Sequence, residues 1–130
     1  MDADFSVELG REDPVLDFPW ADGSGRLAYF DLKRHPEMLA EVEEARQFPE
    51  LAEFLRCVNS AQSGVESAKC DVWATQQLAA EEETFGASHK FASYVDLVLA
   101  TADRRRSFPE HEGFAKRLVA LLRRAPEMAS

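Results

Sequence analysis

Cysteine is scarce in this chain: 130 residues contain only Cys57 and Cys70. A small secreted domain held by disulfides carries more, so a disulfide framework is excluded and a reducing compartment, the cytoplasm, is expected. The opening Met1-Asp2-Ala3-Asp4-Phe5 is acidic and lacks the basic-then-apolar pattern of a secretory leader. Long apolar runs are missing as well. None approaches the roughly 18 residues that carry a helix across a bilayer. Basic residues are in deficit, 15 against 24 acidic, for a formal net charge of −9. Nucleic-acid binding rests on neutralising phosphates, so this balance excludes it as the expected activity, and it disfavours an anionic membrane surface equally.

Catalytic and metal motifs are also absent. His35, His89 and His111 are scattered, with no His-x-x-x-His pair and no Cys-x-x-Cys, so neither a metal nor a cofactor is expected. No Gly-x-Ser-x-Gly elbow and no glycine-rich phosphate loop opens a helix; Gly23-Ser24-Gly25 reads as a turn. Cys70 falls on a small apolar strand face and Cys57 flanks a helical core stripe, so both are expected to be buried, inert thiols.

What the chain does have is enough for a core. Hydrophobic residues make up 45%, with nine Phe and two Trp against six Gly and six Pro. A chain of this length forms one domain, here residues 1–130, and buries roughly two-thirds of its unfolded surface.

Alternation marks Phe5–Leu9, Val15–Phe18 and Leu27–Leu32 as strands, with turns at Gly10–Pro14 and Asp22–Gly25. Pro36 opens a helical stretch in which Leu39, Val42 and Ala45 recur at three-residue steps. Pro49 interrupts it and starts a second helix, whose Leu51, Phe54, Leu55 and Val58 form a core-facing stripe. Val65–Thr75 reads as a long strand, Gln76–Phe85 as a short helix rich in glutamate, and Lys90–Ala100 as the clearest strand. After an Asp103–Arg106 turn, Ser107 and Glu110 have capping-box spacing for a final helix with Phe114, Leu118, Leu121 and Leu122 inward. Arg123 and Arg124 suit its C-terminal dipole.

Two strings recur in the same order. Tyr29-Phe30-Asp31-Leu32 echoes Tyr94-Val95-Asp96-Leu97, and Phe48-Pro49-Glu50 echoes Phe108-Pro109-Glu110. The spacings, 65 and 60 residues, differ by about one turn of helix. The expectation is an α+β fold: an antiparallel sheet of four or more strands with helices mainly on one face. The echo allows it to be built from two pseudo-symmetric ββα halves, degenerate repeats over 5–60 and 65–125.

Side chains alternate across a strand. Phe91, Ser93, Val95, Leu97 and Leu99 therefore face the helices, as do Ala68, Cys70, Val72 and Ala74. The opposite face gathers Tyr29, Lys69, Trp73 and Tyr94, the expected binding residues, with Asp31, Asp71 and Asp96. Such a face is a solvated surface, a subunit or partner interface, or a ligand site. If the three aspartates converge, mutual repulsion raises one pKa and creates a proton donor; otherwise they pair with Lys69 or arginines. Arg104-Arg105-Arg106 is either an anion clamp at the last helix or a solvated turn. The reading is a small acidic accessory or binding protein acting through its exposed sheet face. Its expected partner is a second copy or another protein, with a small molecule as a further candidate. The alternative is a small enzyme using paired aspartates and a tyrosine on a neutral or cationic substrate.

Overall fold

The computed structural model describes residues 1–7, 18–19, 23–26, 28–76 and 90–126. The strand expected at 15–18, the helix at 76–85, and His89 lie wholly or almost wholly outside those residues. The chain divides into two compact units, Pro19–Val98 and the paired segments Met1–Phe18 and Leu99–Ser130.

In the first unit, a 3-10 helix Pro36–Glu41 leads into helix α1 (Glu43–Gln47) and then α2 (Pro49–Val58). Of the residues recurring at three-residue steps, Leu39 lies in the 3-10 helix, Val42 joins it to α1, and Ala45 lies in α1. Val42 and Ala45 are buried. Phe48 is the hinge between α1 and α2: its N–H bonds the Glu44 carbonyl at 2.9 Å, and its carbonyl accepts from Ala52 N–H at 3.1 Å. The following proline pushes Phe48 out of the helical region, to φ −125° and ψ 97°, so one helix ends as the next begins. Leu55 is 1% exposed, and Leu51 and Ala52 flank it in the core. Phe54, placed inward by its spacing, is exposed instead.

The sheet has two strands among the described residues, β1 (Val65–Thr75) and β2 (Lys90–Leu99), paired antiparallel. This corrects the expected sheet of four or more strands. Residues 5–7 and 28–32 are described and form no strand. At 28–32 the cause is local hydrogen bonding over residues 30–35. Leu32 N–H bonds the Phe30 carbonyl, His35 N–H bonds the Asp31 carbonyl, and the Asp31 carboxylate accepts Arg34 N–H at 3.1 Å. A short polar side chain that captures its own downstream backbone makes a turn where a ladder would need those groups free. Phe30 and Leu32 still reach the core, which is built on Leu32, Val42, Ala45 and Leu55 with Cys70 and Val95 packed against it. The apolar alternation at 28–32 reports burial without a strand.

The loop from α2 to β1 is tied by the side chains of Asn59 and Lys33. Asn59 Nδ2 donates to the Leu55 carbonyl and to Ser67 Oγ, while its Oδ1 accepts Ser67 N–H at 3.0 Å. Lys33 Nζ donates to the carbonyls of Ser60, Ser63 and Val65 at 2.9, 2.7 and 2.9 Å. The ammonium also lies where the negative end of α2 favours a cation.

In the second unit, a one-turn helix α3 (Ala102–Arg105) precedes α4 (Phe108–Leu122). Ser107 caps α4 by accepting Glu110 N–H. The Glu110 carboxylate accepts from Arg104 Nε and Nη2 at 3.1 and 3.0 Å. Val119 is the buried residue of α4 and Leu121 faces outward, so the inward stripe is narrower than its spacing implies.

Candidate functional site

Strand β1 begins with three buried residues, Val65, Glu66 and Ser67, and then alternates from Ala68 to Trp73, with the odd-numbered positions exposed. Lys69, Asp71 and Trp73 thus share an outward face. Tyr94 on β2 meets Trp73 edge-on, ring centroids 6.2 Å apart and planes inclined by 63°. Both remain open to solvent, 45% for Trp73 and 42% for Tyr94. Phe91 is more exposed still, at 59%, yet it rests against Phe48 with centroids 5.3 Å apart. The helices therefore leave the outer reach of β2 uncovered, and Phe91 does not join the buried face that strand alternation assigned to it.

The seven residues expected to form the site separate into two groups. Trp73 and Tyr94 are in contact, with Lys69 and Asp71 on the same face of β1 as Trp73. Asp96 is also exposed, on β2. Asp31 belongs elsewhere: Arg34 Nη1 lies 3.0 Å from its Oδ2. Burial alone pushes the Asp31 carboxyl up, but the hydrogen bonds and charge of Arg34 outweigh it and hold the group below its ordinary value. Tyr29 is half-buried.

Beside this aromatic pair opens a cleft of about 590 Å³ within the Pro19–Val98 unit. Its apolar floor includes Phe30, Leu32, Val42 and Leu55, and Tyr94 forms part of its wall. Glu41, Glu43, Glu44 and Asp71 line it together with Arg26 and Lys69. Tyr94 is pushed above its ordinary phenol pKa by burial first, then by the negative charges of Asp96 and Asp71 and by the neighbouring Cys70 and Glu44. Cys70, at the cleft, has its thiol pushed up to about 11 by burial and by Glu44 and Asp71, so it stays protonated and a poor nucleophile at neutral pH. Cys57 is exposed, contrary to the expected burial, and its Sγ lies 3.7 Å from Glu53 Oε1.

Sequence reasoning missed two features. Glu44 lines the cleft, and nothing in its sequence context singles it out. Glu66 is 1% exposed, with its Oε2 3.7 Å from the same Arg34 Nη1 that holds Asp31. A single glutamate at the start of a strand carries no sequence signal of such burial. The arginine cluster does not converge. Arg104 holds Glu110, whereas Arg105 donates to the carbonyls of Leu99 and Ala100 and stacks 4.2 Å over the Phe18 ring. No group of three or more His, Cys, Asp or Glu residues suited to a metal occurs among the described residues. Nor is any helix among them long and apolar enough to cross a membrane.

No family model, curated protein or solved structure matches the chain.

Proposed function

We propose that this is a small binding protein of the reducing cytoplasm that forms a homodimer through the aromatic face at the outer reach of β1 and β2. The observation that carries the reading is the exposure of Trp73 and Tyr94 in mutual contact. Aromatics are enriched at interfaces because they bury a large area at low entropic cost, and Trp and Tyr bring a polar group to the rim. The free thiols of Cys57 and Cys70 suit a reducing compartment. The acid–base alternative is less well supported, because Arg34 engages Asp31 and lowers its pKa, the opposite of what a proton donor needs.

Light scattering after size exclusion, over a range of concentrations, tests the reading. Self-association gives a mass near twice 14.6 kDa, and Tyr94→Arg returns the monomer while leaving the circular dichroism spectrum unchanged. A monomer at every concentration overturns the reading.

A further inference from the structure

We propose that the cleft beside Tyr94 binds a small organic cation with an apolar body. This goes beyond self-association: the cleft shares Tyr94 with the aromatic face, whereas Trp73 and Phe91 do not line it.

Three independent features converge there. The volume, about 590 Å³, lies within the several hundred Å³ common to small-molecule pockets. The floor of Phe30, Leu32, Val42 and Leu55 is apolar and continuous with the core, so it favours an apolar body over a hydrated ion. The polar lining is unbalanced in sign, four carboxylates against two basic groups, Arg26 and Lys69.

Tyr94 joins the last two features. Its ring is aromatic wall, and its hydroxyl sits in the negative field of Asp71 and Glu44, two of the lining carboxylates. A cation at this edge of the cleft gains attraction from the π face and from the carboxylates together. An anion meets the reverse field. A neutral molecule of the same shape gains only the floor.

The probe is phenethylammonium, titrated into the full chain and followed by the amide signals of Cys70 and Tyr94 in a nitrogen–proton NMR spectrum. The neutral 2-phenylethanol and the anionic phenylacetate serve as shape-matched comparisons. The expected result is saturable binding of the cation, tighter than either comparison and weakened by added salt. The double variant Glu44→Gln, Asp71→Asn weakens it about tenfold, while Glu50→Gln on the exposed side of α2 does not. If the double variant fails to fold, each single substitution is read in its place, with a weakening of about threefold expected. Binding of the alcohol as tight as that of the cation overturns the proposal. So does preference for the anion, failure to saturate, or an affinity unchanged by the cleft substitutions.

Discussion

Asn59 grips Ser67 at both ends of its amide: Nδ2 donates to Ser67 Oγ at 2.9 Å and Oδ1 accepts Ser67 N–H at 3.0 Å. Both residues are buried, so the C-terminus of α2 and the start of β1 are fixed to each other where water cannot substitute. Asn59→Leu removes every one of these bonds and leaves Ser67 N–H buried without that acceptor. The expected cost is about 1–3 kcal/mol, read as a lower urea midpoint at unchanged slope.

Val95 is packed against the core cluster from β2, one residue beyond solvent-facing Tyr94. Val95→Asp puts a charge against that cluster and is expected to unfold the Pro19–Val98 unit, whereas Val95→Ile is expected to cost less than about 1.5 kcal/mol. Near-native circular dichroism and melting for the aspartate variant would show that the burial of this face was assigned wrongly.

Asp31 gives acid stability a defined sign. Its folded pKa lies below the reference 3.8 because Arg34 stabilises the carboxylate. The contribution is therefore fully present above the unfolded pKa and is lost as pH falls through the folded one. Asp31→Asn should flatten the acid limb of a stability-against-pH curve and have its largest effect near neutral pH. An unchanged acid limb would mean that the ion pair with Arg34 contributes nothing in solution.

The two thiols should separate kinetically. With Cys70 raised from 9.0 to about 11, its thiolate fraction at neutral pH is about a hundredfold below that of an ordinary thiol. A thiol-labelling reagent at pH 8 is expected to modify exposed Cys57 first, leaving Cys70 unmodified until the chain is denatured. Equal rates in the folded protein would refute the raised pKa of half-buried Cys70.

The parts of the fold legible in the sequence are those set by strong local signals. Pro49 fixed the start of α2, because a proline belongs at a first helical turn and displaces the residue before it. Ser107, three residues before Glu110, marked the start of α4. Alternation along 65–75 and 90–100 placed β1 and β2 to within a residue. What was not legible followed from competition between local and regular hydrogen bonding. The alternation of Ala28, Phe30 and Leu32 has the period of a strand, but the Asp31 carboxylate closes a turn there, and the sheet lost an expected member. At the site, alternation on β1 put Trp73, Lys69 and Asp71 on one face, and Tyr94 came to meet Trp73. The cleft was invisible, since it depends on how Glu41–Glu44 and the 28–32 segment pack around β1, a tertiary relation that no spacing encodes.

The three carbonyls held by Lys33 have a consequence for chemical accessibility. Three backbone oxygens holding its donors keep the Lys33 nitrogen from an acylating reagent until the loop from Ser60 to Val65 opens. Lys33 is thus a built-in reporter: in a time course of amine acylation read by peptide mass, its slow labelling measures how often that loop lets go. Even arginine would not preserve it, because a flat guanidinium fork cannot present three donors around a single point.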